Sequence, residues 1–233
     1  MIISALVLAL LAMPATPIEV TAVQFPARGK ANLSLGGKSK ASVERAGTVS
    51  KTSIEIEGIR TSQSVRAGMN CYVVWAISPE GTYENLGELE ISGGKATLEA
   101  TTRFDRFAIL VTVEPHYMVD IPGSGVVYKN ESARDFPGVP LMIDVGAYDY
   151  PALPESPPGV PALVMEARAA ISIATSVQAD KRAESEFRQA RVALDTMEEL
   201  LRRTSAPDVV SAAAHAAIRR AQTATTVARQ SVR

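Results

Sequence analysis

The side chains with which this sequence could do chemistry are few: two histidines, one cysteine, two Gly-Ser stretches and a run of glutamates. His116 and His215 fall in different predicted domains, and neither has a Cys or a second His at metal-ligand spacing, so neither reads as half of a zinc site. Cys71 is the single cysteine, so no internal disulfide is expected; within Asn70-Cys71-Tyr72-Val73-Val74-Trp75-Ala76-Ile77 it reads as a buried small hydrophobe. Gly36-Gly37-Lys38-Ser39 imitates the end of a phosphate-binding loop, but Asn32 stands where that loop requires its first glycine. A turn before a strand is the better reading. Gly123-Ser124-Gly125 lacks the outer glycine spacing of a nucleophile elbow. Glu80, Glu84, Glu88 and Glu90 cluster around a turn and the following strand without the spacing of a calcium loop, and read as a solvated edge. The sequence therefore names no catalytic, cofactor-binding or metal-ligating residue, and the expectation is a protein that is not an enzyme.

The elements that would position these groups divide the chain in two. Short runs of alternating or β-branched residues recur at Ile18 to Gln24, Ser39 to Arg45, Val49 to Glu57, Cys71 to Ser78, Tyr83 to Ile91, Ala96 to Thr102, Phe107 to Val113 and Val126 to Tyr128. Ser53-Ile54-Glu55-Ile56-Glu57 puts both Ile side chains on one face. The runs at Cys71 and Phe107 are apolar almost throughout and belong in the centre of a sheet. An immunoglobulin-like sandwich over residues 18–130 is expected, with Trp75 in its core. Residues 131–160 contain Pro137, Pro140, Pro151, Pro154, Pro157 and Pro158 and read as a linker, in which Leu141 to Val145 could add an edge strand. From Pro161 onward, apolar residues recur at alternating spacings of four and three in three segments, lined by Leu163 to Val177, Ala183 to Leu201 and Val210 to Ala228. With Asp180 as the second cap, residues 161–233 are expected to form an antiparallel three-helix bundle. The fold class is therefore α+β as separate domains. Alanine lines much of the helices' inner face, which makes the module marginal alone and calls for the sandwich, a second copy or a partner to complete its core. Arg202, Arg203, Arg219 and Arg220 mark its polar face.

A net charge of −1 gives no footprint for nucleic acid. The apolar run from Ile2 to Ala12, with small residues up to Ala15, makes residues 1–15 an expected signal peptide, with no stable membrane insertion after cleavage.

Three segments form a suggestive set: Tyr72-Val73-Val74-Trp75-Ala76-Ile77-Ser78-Pro79-Glu80-Gly81, Glu84-Asn85-Leu86-Gly87-Glu88-Leu89, and Val111-Thr112-Val113-Glu114-Pro115-His116-Tyr117. Together they resemble the amino-terminal region of acidobacterial-type cell-envelope proteins that carry an OmpA-like domain further on. The same strand and Glu-Pro pattern is distantly similar to the extracytoplasmic sandwich of anti-sigma factors of the RskA kind. Glu166-Ala167-Arg168-Ala169-Ala170-Ile171 and the later Ala-rich repeats are similar to a small helical domain of those envelope proteins. The resemblance implies a periplasmic or outer-envelope location, no catalytic residues and no cofactor. The OmpA-like domain that would bind peptidoglycan is not matched before Arg233, so anchoring by that route is not expected. The leading expectation is a non-enzymatic envelope interaction or scaffold protein, the sandwich a binding body and the helices an assembly device, with an envelope protein or a second copy as partner. The alternatives are an extracytoplasmic regulatory domain of the anti-sigma type, and a ligand-binding protein or enzyme with a cleft between sandwich and linker.

Overall fold

The computed structural model describes residues 16–131, 136–146, 150, 153 and 156–232; the expected signal peptide lies outside them. The strands among these residues are β1 (Thr16–Gln24), β2 (Arg28–Gly36), β3 (Ser39–Ala46), β4 (Val49–Glu57), β5 (Cys71–Ile77), β6 (Tyr83–Glu88), β7 (Glu90–Ser92), β8 (Lys95–Thr102), β9 (Arg106–Glu114), β10 (Val126–Lys129) and β11 (Gly138–Val145). The helices are α1 (Ser62–Val65), α2 (Ala162–Ser176), α3 (Ala179–Arg182), α4 (Glu184–Arg202) and α5 (Pro207–Gln230).

The strands form two antiparallel sheets. The first runs β11-β1-β9-β5-β6, with β10 also paired to β9, and the second runs β2-β3-β4-β8-β7. Alternation explains the second: Ile54 and Ile56 point inward, while Glu55 and Glu57 point out to Lys40 and Lys95. Between the sheets lies a core that includes Phe25, Leu33, Ile54, Tyr72, Val74 and Ile109. Strand β2 has no run of strand formers, yet Ala31, Leu33 and Leu35 alternate into this core from a sheet edge. Strand β11 lies inside the stretch read as a linker and pairs with β1 from Thr16↔Val145 to Val23↔Gly138. It tolerates Pro140 because an edge strand can spare one backbone donor.

Strands β5 and β9 lie in the interior of the first sheet and are buried on both faces. Tyr72, Val74 and Ala76 face the second sheet, whereas Cys71, Val73, Trp75 and Ile77 form a separate cluster on the opposite face. Helix α2 approaches that opposite face where Cys71 emerges: a Glu166 carboxyl oxygen lies within 4.8 Å of the Cys71 sulfur. The order of layers at this point is sheet, sheet, helix.

This arrangement corrects the expected fold class. Separate α and β domains, an immunoglobulin-like sandwich and an antiparallel three-helix bundle give way to eleven strands in two antiparallel sheets with five helices among the described residues. Eleven strands exceed the seven to nine of an immunoglobulin domain. Helix α1 belongs to the sheet region, and α3 is a single turn that contains Asp180, so α4 begins after Ala183 instead of at an Asp180 cap. The helical core is not self-contained. Val164, Ala167, Ile171, Leu194, Met197 and Ile218 pack together, and Tyr117 and Met118 from the sheet region pack against them. The alanines give those two contacts weight: a buried methyl contributes about 0.8 kcal/mol against roughly 1.5–3 for a Leu.

Tyr117 packs against both the helical cluster and the outer face of the first sheet, so one cooperative unit is expected. On heating, Trp75 fluorescence, which reports the first sheet, and far-ultraviolet ellipticity at a helix-sensitive wavelength should fall in a single coincident transition. Two separated transitions would show that the helices fold independently of the sheets.

Candidate functional site

One group of polar side chains lies where α2 meets the first sheet. Cys71 opens β5 on the sheet's helix-facing side. Opposite it, β6 carries an irregularity: Val74 pairs with Gly87 but Trp75 with Asn85, so Leu86 is an extra residue. Gly87 takes φ +122°, which a side chain would resist, and Asn85 Oδ1 accepts its N–H at 2.9 Å. Beyond the bulge Glu88 pairs with Val73, Leu89 turns into the inter-sheet core, and the chain joins the second sheet as β7. Glu88 thus sits at the crossing between sheets, and its carboxyl turns toward Cys71 and Glu166.

Glu166 projects from the first turns of α2 and is 1% exposed. Its Oε2 accepts the Tyr117 N–H at 3.1 Å. The Cys71 S–H donates to the Glu114 carbonyl oxygen at 3.4 Å, with the Glu166 carboxyl beside it. Burial pushes the Cys71 thiol well up, and the charges of Glu166 and Glu88 push it further, so the free thiol stays protonated. Burial raises Glu166 well above the usual carboxyl range, and the neighbouring Glu88 adds to this. Glu88 itself is raised to about 7, by burial first and by Glu90 second.

The loop after β9 fastens the helices from the other side. Asn85 Nδ2 donates to the carbonyl oxygens of Tyr117 and Val119 at 2.9 and 2.8 Å. The Tyr117 hydroxyl lies 3.1 Å from His215 Nδ1 on α5, with the two rings edge to face. Arg229, near the end of α5, pairs with Asp120 at 3.2 Å. Cys71, Glu88, Tyr117, Leu163, Glu166 and His215 line a recess of about 560 Å³ at this seam.

A second polar group lies deeper in the sheet. Glu114, fully buried at the end of β9, accepts from the Gly123 N–H at 2.7 Å and the Tyr150 hydroxyl at 2.9 Å. It also accepts from the Thr112 hydroxyl, which in turn takes the Trp75 indole N–H at 2.9 Å. Gly123 is there because an added Cβ would come within 3.0 Å of the Glu114 carboxyl. Burial nevertheless outweighs these donors and raises Glu114 to about 7. His116 is 1% exposed, its Nδ1 accepts the Met118 N–H at 3.2 Å, and burial lowers it to about 3, so it stays neutral at ordinary pH.

The residues weighed in the sequence therefore have definite places. Cys71 is buried, but beside two carboxyls instead of among hydrophobes alone. Glu80 and Glu90 are exposed and Glu84 accepts from Thr102, whereas Glu88 turns inward, away from the solvated edge expected for it. Gly37 and Lys38 form the β2–β3 turn, Lys38 reaching toward Glu57. Ser124 Oγ accepts from Arg66 at 2.9 Å, and His116 is bonded to its own loop. His116 and His215 are brought to the same loop, on either side of Tyr117. Glu114, Glu166, Asn85 and Tyr117 carry the seam, and sequence inspection passed over them as chemistry. For Glu166 a signal was present: a lone acid among Val164, Met165, Ala167, Ala169 and Ala170 in a largely apolar stretch of helix.

The sequence matches no protein-family model, and no curated protein and no solved structure matches it. Among the described residues no helix is long and apolar enough to cross a membrane.

The buried groups set a pH dependence. A carboxyl raised from 4.5 to about 7, as Glu114 is, contributes stability that is full below pH 4.5 and is lost as the pH rises through about 7. Glu88 and Glu166 act in the same sense. His116, lowered from 6.5 to about 3, acts oppositely: its contribution is present above pH 6.5 and is lost as the pH falls through about 3. The melting temperature should therefore peak in weak acid and fall from about pH 5 to about pH 8. Glu114→Gln should flatten that fall while the exposed Glu99→Gln leaves it unchanged; identical profiles for both variants would remove Glu114 from the account.

Proposed function

We propose that the chain is a non-enzymatic scaffold protein of the bacterial cell envelope that assembles by self-association along α4. The observation that carries this reading is the outward face of that helix. Val192 is 61% exposed at its middle and borders a groove of about 520 Å³ between α4 and α5. The groove exists because the α5 side is floored by Ala213 and Ala216, whose methyl groups leave room that larger side chains would fill.

The position of Val192 supports a second copy as the occupant. Val192 and Ala193 lie at the centre of α4, so an antiparallel two-fold pairing brings the two Val192 side chains together. The charges along the helix are largely paired within it, Glu184 with Arg188, Arg191 with Asp195, and Glu199 with Arg202 and Arg203, which leaves the apolar centre to make the contact. Engagement of the seam groups in fastening the helices to the sheets supports the non-enzymatic part of the reading. Export is supported by the apolar residues 1–15.

Sedimentation equilibrium of the chain lacking residues 1–15 tests this directly. A concentration-dependent dimer is expected, reduced to monomer by Val192→Asp, which touches no buried core. A wild-type chain that stays monomeric throughout, or a dimer indifferent to Val192→Asp, removes α4 self-association as the function.

A further inference from the structure

We infer that Cys71, Glu88 and Glu166 form a binding site for a divalent cation of the zinc class, which clamps α2 to the first sheet. This does not depend on self-association, because α4 contributes none of the three residues.

The first ground is convergence. A thiol from β5, a carboxyl from the end of β6 and a carboxyl from α2 each offer one donor atom, and the three atoms lie within 4.8 Å of one another. Around tetrahedral zinc, with Zn–S near 2.3 Å and Zn–O about 2.0–2.2 Å, ligand atoms stand about 3.3–3.7 Å apart. The closure needed is therefore small, and Glu88, only partly buried, is the side chain free to make it. The second ground is the setting. Cys71 and Glu166 are buried while the group borders the recess of about 560 Å³, so a fourth coordination position opens toward water. The third is charge. The charges acting on Glu166 and Glu88 are acidic, those of each other and of Glu90. A dication placed among them removes that repulsion. The fourth is orientation: the Tyr117 N–H holds Glu166 Oε2 at 3.1 Å, and Tyr117 is itself tied to Asn85 and His215. Such outer partners hold a ligand in place for its metal.

The donor set selects the ion. Calcium and magnesium take oxygen donors in larger number, whereas one sulfur with two carboxylates suits zinc or cobalt. Coordination replaces the S–H proton, which passes to solvent together with any proton held by the two carboxyls, and no electron is transferred.

The test uses the full chain lacking residues 1–15, stripped of metal by a chelator and then titrated with cobalt or zinc chloride. One cobalt per chain should produce a thiolate-to-cobalt charge-transfer band in the near ultraviolet and intensified visible bands of four-coordination, displaced by one zinc. Zinc should also raise the melting temperature. Cys71→Ser and Glu166→Gln should each weaken zinc binding by about 100-fold or more, while Glu99→Gln leaves it unchanged. Circular dichroism and Trp75 fluorescence establish that each variant is folded. A folded wild-type chain that gives no charge-transfer band overturns the inference, as does zinc binding that both folded variants retain at full affinity.

Discussion

A carboxyl buried to 1% exposure on one face of α2 constrains much of what surrounds it. Leaving such a group without donors costs several kcal/mol, because water is gone and the interior offers little in return. Glu166 accepts the Tyr117 N–H and lies beside the Cys71 thiol. Those two partners belong to the loop after β9 and to the start of β5, so satisfying one side chain fixes where the helix sits on the sheet. The His215–Tyr117 contact and the Arg229–Asp120 pair then hold α5 against the same loop. A polar group in an apolar seam adds little net stability, but it penalises every alternative register in which it would be unpaired.

The alanine-rich helices make that register important. Ala167, Ala170, Ala214, Ala217 and Ala221 allow close approach of α2 and α5 but remove little apolar area from water. Tyr117 and Met118, from the loop after β9, add to the helical core. Strands β5 and β9 carry large side chains on both faces, Tyr72 and Val74 inward, Trp75 and Ile77 outward, and the outer cluster includes Val119, Ile143 and Val145 with Tyr117 and Tyr150 packed against it. Tyr117 thus packs on both the outer face of the sheet and the helical core.

Much of the secondary structure was legible in the chain. The alternation at Ser53 to Glu57, the apolar runs at Cys71 and Phe107, and the four-and-three spacing from Leu163 to Ala228 all correspond to observed strands and helices. Strand β2 escaped notice because its Arg, Gly, Lys, Asn and Ser residues are weak strand formers, and only Ala31, Leu33 and Leu35 betray a buried face. The expected three-helix bundle gives way for a different reason. Periodicity reports which face of a helix is apolar but not what covers it, and Tyr117 and Met118 supply part of that cover from the sheet region.

The site divides along the same line. Composition and spacing correctly placed Cys71 in a strand and Gly37-Lys38 in a turn, since both follow from local backbone preferences. They could not bring Cys71, Glu88 and Glu166 together, because these residues are distant in the chain and meet only when the bulge at Gly87 re-aims β6 and α2 docks on the sheet. Periods of two and 3.6, and with them the elements and their apolar faces, are written into residues a few positions apart and can be read from the chain. Which faces meet and which acids are buried follows from long-range packing, since the cost of burying Glu166 is offset by the Tyr117 N–H from a distant segment.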